Sequence, residues 1–542
     1  MLKMDLSRIC PTTTAEALSR AVTIAPEVEA VVVSDGRLTY GELRAEVERI
    51  ASALSAYGVG RGDHVGLCLG NSRRWVAMFL AVGSLGAVTV PVNTRFKEAE
   101  MAFVLKQSRV RFLFVADSFL RIDFIQMLRT VCPGIDSALP DPAFPDLRKI
   151  VVFADQAPRA ATAWPDFIAL AGKPVEPACR PDDVLLIQYT SGTTSFPKGV
   201  MLTHANMLGN AFFSGGRVGL RIGDRLHSAR PFFHVAGSTL SILSALQHVV
   251  TLVSMDRFEP GEALRLFEEE RCTHFSGNDT MALMLLNHPD AGRRKLYLRG
   301  AWAAASPAVV RRLIDELGAR ECVVGYGQSE ASPNIAQSAW WEDEEVRVAG
   351  RMRPQPGVIV RIRDNETGKD CLPGVPGEIV VHGWNVMRGY FGRPEETAAA
   401  LDAEGWLSTG DRGVLGEDGR LRFVGRIKDI IRVGGENVAP SEIENMLLTH
   451  PAVRQVQVVG IADPRLVEVP VAFIIPDGNA SLAEDEVIAW CRSNMAGFKV
   501  PRHVWIVPDF QMAGMTESSK VKKKDLATHA MKLLGGAEEH NN

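Results

Sequence analysis

The chain has 542 residues, which is too long for one ordinary core, so two or more domains are expected. Its 60 basic and 64 acidic residues give a net charge of −4, which argues against a nucleic-acid-binding surface. Eight cysteines lie far apart without a C-x-x-C pair, and this favours reduced thiols over a metal or redox site. The N-terminus lacks a long apolar core, and the most apolar stretch, 240–253, is short and partly polar. A cytoplasmic protein without a transmembrane segment is therefore predicted.

The first clear element in chain order is a helix that begins with the capping box Thr39-Tyr40-Gly41-Glu42 and closes at Gly58. Short apolar runs then alternate with helical segments, which is typical of parallel sheets with helices on both faces. These runs are 64–69, 87–92, 110–115 and 184–189. From about residue 357, frequent glycine and proline predict a small β-rich subdomain. Beyond Gly425 an α+β domain is predicted, with helices at 441–448 and 482–491 and strands at 453–459 and 469–475.

A run of small and hydroxyl-bearing residues follows the apolar stretch 184–187. From Gln188 to Val200 it reads Gln-Tyr-Thr-Ser-Gly-Thr-Thr-Ser-Phe-Pro-Lys-Gly-Val. Small residues let backbone N–H groups approach a polyphosphate, hydroxyls donate hydrogen bonds, and Lys198 adds a positive charge. The run is not a Walker A loop, because no glycine precedes Lys198 and valine stands two residues after it. By itself it is consistent with a phosphate loop or with an ordinary polar surface loop.

The order of residues in this run resembles the phosphate loop of adenylate-forming enzymes, the superfamily of acyl-CoA synthetases, luciferases and peptide-synthetase adenylation domains. One position departs from the family pattern, since Ser195 stands where glycine is usual. The resemblance implies that ATP binds here with Mg²⁺, and that Thr190 contacts the metal and takes part in catalysis. The residues of this run implied to bind ATP are Thr190, Ser191, Gly192, Thr193, Thr194 and Lys198.

A second motif, Gly325-Tyr326-Gly327-Gln328-Ser329-Glu330, resembles the Tyr-Gly-x-Thr-Glu motif of the same superfamily, with Ser329 in place of threonine. Tyr326 can stack on adenine, the Ser329 hydroxyl can reach the α-phosphate, and Glu330 can hold Mg²⁺ as a catalytic ligand. All the residues from Gly325 to Ser329 are implied to contact the nucleotide. The alternative is a hydrolase nucleophile elbow around Ser329, G-x-S-x-A. It is disfavoured because no apolar strand is expected directly before it and because the ATP loop would be unexplained.

Two further segments resemble the acyl-CoA synthetase pattern. Ser408-Thr409-Gly410-Asp411 is similar to the ribose-binding turn, and a carboxylate such as Asp411 accepts both ribose hydroxyls well. The long segment 425–444 implies a ribose contact by Arg426 and a hinge at Lys428, so the predicted domains are 1–427 and 428–542. Small residues in its loop fit a narrow pantetheine passage for CoA. The loop residues assigned to CoA are Gly434, Gly435 and Glu436.

Near the C-terminus, the segment 517–526 occupies the place of the family's catalytic-lysine motif. Lys520 aligns with that lysine, whereas Ser519 replaces the usual glycine. A solvated basic tail is the alternative interpretation of this segment. If Lys520 is misassigned, Lys522 is the next candidate.

The segment from Pro231 to Gly237 looks like the aromatic-histidine segment that flanks the acyl pocket, although a lone histidine among aromatics is usually a core residue. His234 is counted among the catalytic candidates, and Ala305 among the nucleotide contacts. No arginine or lysine occurs at the pocket positions, which argues against a second carboxylate on the substrate. Their side chains are mostly small, which favours a bulky hydrophobic acid that is alicyclic, aryl or medium-chain. The pocket positions are His234, Val235, Gly237, Ser238, the segment 276–280, Trp302, Ala303 and Ala304.

The resemblance spans about residues 25 to 530 and implies a fold and an activity together. The fold is α/β, with a large N-terminal domain of two doubly wound α/β subdomains plus a small β-barrel-like subdomain, followed by a small mobile α+β C-terminal domain. The activity is that of an acyl-CoA synthetase that uses ATP, Mg²⁺ and CoA. Three alternatives stay open: transfer of the acyl group to a carrier-protein phosphopantetheine, the hydrolase, and a nucleotide-binding protein without catalysis. The form of the loop at 434–440 favours free CoA, and a homodimer is left open.

Overall fold

The computed structural model describes residues 4–190, 197–434, 436–478, 482–514 and 521–539. Up to residue 190 the helices are α1 (Thr14–Ile24), α2 (Tyr40–Ala56), α3 (Arg73–Ser84), α4 (Glu98–Gln107), α5 (Phe124–Val131) and α6 (Trp164–Ile168). The strands of this part are β1 (Glu29–Val33), β2 (Gly36–Thr39), β3 (His64–Cys68), β4 (Val88–Pro91), β5 (Phe112–Val115), β6 (Ser118–Phe119), β7 (Ile122–Asp123), β8 (Lys149–Val152), β9 (Thr162–Ala163) and β10 (Val184–Thr190).

The middle of the chain continues the alternation of strands and helices. Its strands are β11 (Lys198–Thr203), β12 (Arg225–Ser228), β13 (Thr251–Val253), β14 (His274–Asn278), β15 (Gly300–Ala304), β16 (Glu321–Gly327), β17 (Asn334–Gln337) and β18 (Arg353–Pro354). Its helices are α7 (His204–Val218), α8 (Val235–Gly237), α9 (Ser244–His248), α10 (Pro260–Glu269), α11 (Asp279–Leu286), α12 (Pro307–Leu317) and α13 (Glu344–Val348), with a π-helical stretch at Ser238–Leu243.

The last part of the chain is richer in antiparallel strands. Its strands are β19 (Ile359–Arg363), β20 (Gly377–His382), β21 (Leu407–Leu415), β22 (Leu421–Arg426), β23 (Ile431–Val433), β24 (Glu436–Val438), β25 (Val453–Asp463), β26 (Val467–Pro476) and β27 (Val504–Ile506). Its helices are α14 (Pro394–Ala400), α15 (Pro440–Leu447), α16 (Glu484–Asn494) and α17 (Lys523–Glu539).

The strands form two large sheets with parallel centres, as the alternating pattern predicted. One has seven strands in the order β11-β10-β4-β3-β5-β8-β9, and the other has nine in the order β18-β17-β16-β15-β14-β12-β13-β1-β2. Antiparallel strands lie at their edges, where β11 pairs with β10 and β17 with β16. Strands β19 to β22 form a four-stranded antiparallel sheet, and β23 to β27 form a five-stranded sheet. The α/β fold class is confirmed.

Local sequence signals explain where helix α2 begins and ends. The Thr39 hydroxyl accepts a hydrogen bond from the Glu42 N–H at 3.2 Å, and the Glu42 carboxylate accepts one from the Thr39 N–H at 2.8 Å. This is the predicted capping box, and it satisfies two backbone donors at the helix start. At the other end Gly58 adopts a φ of +97°, which other residues rarely adopt. The prediction of this helix is confirmed.

The C-terminal sheet is buried on both faces by its own helices. Because side chains alternate along a strand, Val456 and Val458 face one side of β25, and Val459 and Ile461 face the other. The first pair belongs to an apolar cluster with Ile443 of α15 and residues of α16, whereas the second pair packs with residues of α17. The four elements predicted between 441 and 491 are confirmed, and the unit has an apolar core of its own.

Two expectations from the sequence concern reduced cysteines and the lack of a transmembrane segment. All eight cysteines are free, and burial raises the pKa of Cys272 and of Cys322 to about 12, which makes these thiols poor nucleophiles. Across the described residues, every helix is too short or too polar to cross a membrane.

One edge of the nine-stranded sheet collects the carboxyl ends of β12, β14, β15 and β16. In register along this edge, Ser228 lies beside Ser276, Ser276 beside Trp302, and Trp302 beside Val323. Ligands of open α/β sheets bind in the crevice outside the carboxyl ends of the strands. The segments that follow these strands are therefore the place to look for a site.

A buried histidine on β12 makes the stability of this sheet depend on pH. His227 is fully buried and packs against Phe267 and Phe275, and neither ring nitrogen has a hydrogen-bond partner among the residues that the structure describes. Burial lowers the pKa of His227 to about 3, against about 6.5 in an unfolded chain. Between these values the unfolded chain holds one proton more, so stability is lost as pH falls below about 6.5, by about 1.4 kcal/mol per pH unit.

We expect His227→Phe to reduce this acid sensitivity. A phenyl ring keeps the packing with Phe267 and Phe275 but takes up no proton on unfolding. The measurement is the free energy of unfolding of both proteins between pH 7.5 and pH 4.5. The wild-type curve should fall more steeply than the variant's below about pH 6.5, and two parallel curves would contradict the role of His227.

Candidate active site

The predicted phosphate loop lies between two paired strands. Thr190 ends β10, Lys198 begins β11, and the two residues are direct partners across the antiparallel pair. The predicted ATP contacts Ser191, Gly192, Thr193 and Thr194 lie outside the described residues, as do Gly435 and Lys520.

Lys198 and Glu330 are brought together by Tyr390, a residue that the sequence analysis did not identify. The Tyr390 hydroxyl donates a hydrogen bond of 2.9 Å to Glu330 Oε1. The Lys198 ammonium lies 4.9 Å from the centroid of the Tyr390 ring, within range of a cation–π interaction. Burial, together with the charge of Glu330, raises the pKa of the Tyr390 hydroxyl, which therefore stays a hydrogen-bond donor. One ring thus holds the loop's lysine and the acidic candidate in fixed places.

The Glu330 carboxylate is suited to share a magnesium ion with a polyphosphate. Tyr390 occupies one oxygen, and no described residue donates a hydrogen bond to the other, which is also not sealed from solvent. Within the described ranges, no group of three or more His, Cys, Asp and Glu side chains could hold a metal ion by itself. Mg²⁺ typically takes one or two carboxylates and completes its shell with phosphate oxygens and water. The donor set of Glu330 and Thr190 fits that requirement.

Tyr326 and Asp411 meet where the large sheet contacts the four-stranded sheet. The Tyr326 hydroxyl donates a 2.9 Å hydrogen bond to Asp411 Oδ2, and the Tyr326 ring stacks on Phe423 at 5.2 Å. Arg426, the cross-strand partner of Asp411, brings its Nε to 3.7 Å from Asp411 Oδ1. Burial and the neighbouring Asp411 charge raise the pKa of Tyr326 well above its usual value. The structure thus brings three predicted nucleotide contacts, Tyr326, Asp411 and Arg426, into one group.

Close contacts with neighbouring atoms explain why the residues on both sides of Tyr326 are glycines. A Cβ on Gly327 would lie 1.8 Å from the Pro333 carbonyl oxygen, so only glycine fits at the end of β16. A Cβ on Gly325 would lie 2.7 Å from Nε1 of Trp302. The Gln328 N–H also donates to the Pro333 carbonyl, at 3.0 Å. These contacts hold the turn that carries Ser329 and Glu330.

The expectation that no strand leads into Ser329 is wrong. Strand β16 runs directly to Gly327, because Cys322, Val323 and Val324 are buried in the parallel sheet. The hydrolase alternative is nevertheless not favoured. Ser329 begins a short 3₁₀ turn, Ser329–Ala331, and the antiparallel strand β17 follows, whereas a nucleophile elbow leads into a helix.

The aromatic-histidine segment folds into a tight turn after β12. His234 caps helix α8, with its Nδ1 accepting a hydrogen bond from the Ala236 N–H at 3.2 Å, and Val235 is buried. A Cβ on Gly237 would lie 2.0 Å from the Pro231 carbonyl oxygen. Ser238 is fully buried beside the carbonyls of His234 and Val235. Close packing of this turn therefore explains why Gly237 is a glycine, without appeal to pocket volume.

A small, mostly apolar cavity of about 10 Å³, room for roughly one water molecule, lies between the sheet and helix α7. Two of the residues predicted for the acyl pocket, Ser276 and Trp302, line it. By strand alternation Ala303 lies on the opposite face of β15, while Ala304 and Ala305 follow at the edge of the sheet. The sequence analysis missed the remaining lining residues, Ser214, Gly215, Val218, Leu220, Leu226, Leu240 and Ser244.

An arginine outside the predicted pocket positions lies against two of them, Ser276 and Trp302. Arg230, one residue before the segment that was considered, donates through Nε to the Ser276 hydroxyl at 3.0 Å and through Nη2 to the Gly277 carbonyl. Its guanidinium lies 4.1 Å from the centroid of the Trp302 ring. This contact could not be predicted from the local sequence, because it depends on how β12, β14 and β15 are aligned in the sheet.

The predicted hinge residue Lys428 lies between the four-stranded and five-stranded sheets, whereas Gly434 and Glu436 belong to the connection between β23 and β24 of the five-stranded sheet. Lys428 belongs to the turn Ile427–Asp429 that joins β22 to the next unit, and burial lowers its pKa, with Arg426 contributing. Gly434 has a φ of +57° and donates to the Leu466 carbonyl at 2.8 Å, whereas Glu436 begins β24. Beyond the undescribed segment that holds Lys520, the first lysine of α17, Lys523, pairs with Glu444 at 2.7 Å. The alternative candidate Lys522 is exposed.

Two family models match the chain. The model for the AMP-binding enzyme matches residues 18–391, and the model for the AMP-binding enzyme C-terminal domain matches residues 442–520. The first match spans the two large sheets with Lys198, Glu330 and Tyr390, and the second spans most of the C-terminal unit, whereas Asp411 and Arg426 lie between the two matches.

Similar proteins cover nearly the whole chain. The 3-[(3aS,4S,7aS)-7a-methyl-1,5-dioxo-octahydro-1H-inden-4-yl]propanoyl:CoA ligase of Rhodococcus jostii (strain RHA1) is 36% identical over 510 residues, covering 92% of this chain and 95% of the relative. The mitochondrial medium-chain acyl-CoA ligase ACSF2 of Homo sapiens is 32% identical, covering 94% and 86%. Among solved structures, the anthranilate CoA ligase AuaEII in complex with anthranoyl-AMP superposes with a TM-score of 0.86 at 25% identity, covering 97% of this chain and 99% of that one.

Proposed function

Because the chain belongs to the AMP-binding enzyme family, we propose that it is an ATP-dependent, AMP-forming acyl-CoA synthetase. It activates a hydrophobic carboxylic acid as an acyl-adenylate and then transfers the acyl group to CoA. Relatives named as acyl-CoA and CoA ligases support this assignment along almost the full length of the chain. The arrangement of the candidate site supports it independently.

In the first step, a carboxylate oxygen of the acid attacks the α-phosphorus of ATP, and the bond from that phosphorus to pyrophosphate breaks. Asp411 binds the ribose hydroxyls beside Tyr326, and Lys198 and Lys520 stabilise the charge that develops on the phosphates. When bound, Mg²⁺ would be held by Glu330 and Thr190 and would supply positive charge to the phosphate oxygens. The acyl-adenylate and pyrophosphate are the products.

In the second step, the CoA sulfur loses its proton and attacks the acyl carbon, and the bond from that carbon to the AMP oxygen breaks. The unit 428–542 is proposed to turn about Lys428 between the two steps, withdrawing Lys520 and bringing the loop of Gly434, Gly435 and Glu436 to the site. Support for this hinge comes from the short connection between β22 and β23 and from the separate core of the C-terminal unit.

The observation that carries the proposal is the contact chain that joins three sequence motifs. Lys198 lies over the Tyr390 ring, and Tyr390 donates to Glu330. Glu330 sits three residues beyond the end of the strand that presents Tyr326 to Asp411. Phosphate, metal and ribose candidates thus adjoin one edge of the sheet, beside the apolar cavity.

The experiment that tests the function is the release of pyrophosphate by the purified protein with ATP and a panel of carboxylic acids. We expect release only when both are present, and thioester with AMP once CoA is added. Adenylate formed without thioester would favour a carrier-protein acceptor. No acid-dependent release would overturn the assignment.

The substrate is proposed to be an alicyclic, aryl or medium-chain acid. The names of the Rhodococcus, anthranilate and human relatives support this range, since they specify a fused-ring, an aromatic and a medium-chain acyl group. A cytoplasmic location and a homodimer stay predictions, because the human relative is named as mitochondrial and no comparison bears on assembly.

We expect Glu330→Gln to raise the Mg²⁺ concentration needed for half-maximal adenylation by about 10-fold or more, as for loss of a charge-assisted contact. The amide oxygen can still accept the Tyr390 hydrogen bond, so the turn keeps its shape while the charge is removed. The measurement is pyrophosphate release over a magnesium titration at fixed ATP. Glu345→Gln serves as the control, because Glu345 lies exposed on helix α13, where it pairs with Arg311 of helix α12. An unchanged titration for Glu330→Gln would remove Glu330 from this role.

A further inference from the structure

Arg230 is held at the edge of the sheet without a carboxylate partner. It follows β12 by two residues and lies against the ends of β14 and β15 through Ser276, Gly277 and Trp302. No carboxylate of the described residues lies within 4 Å of its guanidinium, whereas two other arginines of the same sheet region, Arg225 and Arg299, each pair with Asp or Glu. The charge of Arg230 is therefore compensated only by neutral groups.

The hydrogen bonds of Arg230 leave part of its guanidinium free. Nε donates to a hydroxyl and Nη2 to a carbonyl, whereas Nη1 has no partner among the described residues and is not sealed from solvent. Arg217, which has a structural role, instead donates to three backbone carbonyls, those of Gln337, Arg353 and Pro354. An arginine that only holds the fold together usually has its donors occupied in this way.

Arg230 lies next to residues that are predicted to line the acyl pocket. Two of its three contacts, Ser276 and Trp302, are predicted acyl-pocket positions, so its guanidinium is fixed beside the place where the acyl group is expected. Stacking on the indole keeps the planar group in one orientation. Burial lowers the pKa of Arg230 to about 9, so it remains charged at neutral pH in a poorly solvated place. A charged donor there gains much from an acceptor that a ligand supplies.

We propose that Arg230 is a specificity-determining residue that binds a second oxygen acceptor, a keto or carboxylate oxygen, on the acyl group of the substrate. The free N–H groups of Nη1 donate to that oxygen, while the hydrocarbon part of the acid lies against the predicted pocket positions Ser276 and Trp302. This inference rests on the proposed function and narrows its substrate to a hydrophobic acid that carries a second oxygen away from the reacting carboxylate.

The test compares matched acids that differ only at the second oxygen. Adenylation kcat/KM is measured for a set of straight-chain and alicyclic monocarboxylic acids, for their keto analogues and for their dicarboxylic analogues of equal length. For at least one skeleton, the wild-type protein should prefer an oxygen-bearing analogue over its unsubstituted acid by about 10-fold or more, as for one charge-assisted hydrogen bond. The keto and dicarboxylic arms show which oxygen is recognised.

Arg230→Met provides the matched variant, because it keeps an unbranched chain over Trp302 and removes the donors. We expect it to abolish the preference while kcat/KM for the unsubstituted acids stays within about 3-fold of wild type. An equal loss for all acids, or a raised KM for ATP alone, would show a structural or nucleotide role and overturn the proposal. Arg230→Lys, which keeps the positive charge but lacks the planar guanidinium with its paired N–H donors, should retain part of the preference.

The wild-type comparison decides the proposal even if Arg230→Met does not fold. If unsubstituted acids support pyrophosphate release and no oxygen-bearing analogue is preferred, the inference about Arg230 is overturned and the synthetase function stands. If no acid of any class supports release, the proposed function itself fails.

Discussion

Lys520→Ala should lose about 10²-fold or more in acyl-adenylate formation while retaining most of its activity with supplied acyl-AMP and CoA. The reason is that the lysine charge is proposed to act only while the carboxylate attacks the α-phosphate, where both reactants are negative. In the second step the C-terminal unit is proposed to have turned and to have withdrawn the lysine. The two half-reactions are measured separately, as acid-dependent pyrophosphate release and as thioester formation from synthetic acyl-AMP.

Matched variants in the same basic segment sharpen this result. Lys524→Ala removes the same charge from the exposed first turn of α17 and should leave both half-reactions near the wild-type rate. Lys522→Ala tests the alternative assignment. Equal damage to both half-reactions by Lys520→Ala would take Lys520 out of this role, and a selective loss with Lys522→Ala would transfer the role to Lys522.

Gly327→Ala should lose about 10²-fold or more in adenylation, the loss expected for a displacement of about 1 Å at a reacting site. The added Cβ would lie 1.8 Å from the Pro333 carbonyl oxygen and 2.9 Å from the Asn334 Cα, so backbone on one side must move. That movement shifts the turn of Ser329 and Glu330 away from Tyr390. The measurements are pyrophosphate release and the thermal unfolding midpoint, which should also fall.

Gly172→Ala is the control for this substitution. Gly172 has open space around its Cβ position, so the same added methyl group meets nothing within 4 Å. It should keep the wild-type rate and midpoint. Normal adenylation by Gly327→Ala would show that the turn after β16 can relax without cost to the site.

Most of the fold could be predicted from local patterns in the sequence. The capping box at Thr39, the apolar runs that became β3, β4, β5 and β10, and the elements of the C-terminal unit all depend on neighbours within about ten residues. Contiguous motifs also identified Lys198, Tyr326 and Glu330. Such signals can be read because spacing along the chain fixes which side chains share a face.

What the sequence did not reveal depends on contacts between distant segments. Tyr390 reaches Glu330 across 60 residues, because the segment around Gly389 hydrogen-bonds to β11 at Met201. Arg230 meets Ser276 only because β12 and β14 are adjacent in the sheet. Strand order and register decide these contacts, and neither follows from periodicity within one segment. The strand before Ser329 was missed for a different, local reason, since Gly325 and Gly327 interrupt its apolar run.

The two buried faces of the C-terminal sheet have a consequence for protein engineering. Because helices α15 to α17 cover this sheet from both sides, the unit carries its own core and joins the rest of the chain through the short turn at 427–429. A homologous C-terminal unit grafted after residue 427 would exchange the proposed catalytic lysine and the proposed CoA loop together, yet leave every residue that lines the apolar cavity in place. Acid preference would then follow the N-terminal parent of such a chimera, and the rate of thioester formation would follow the C-terminal one.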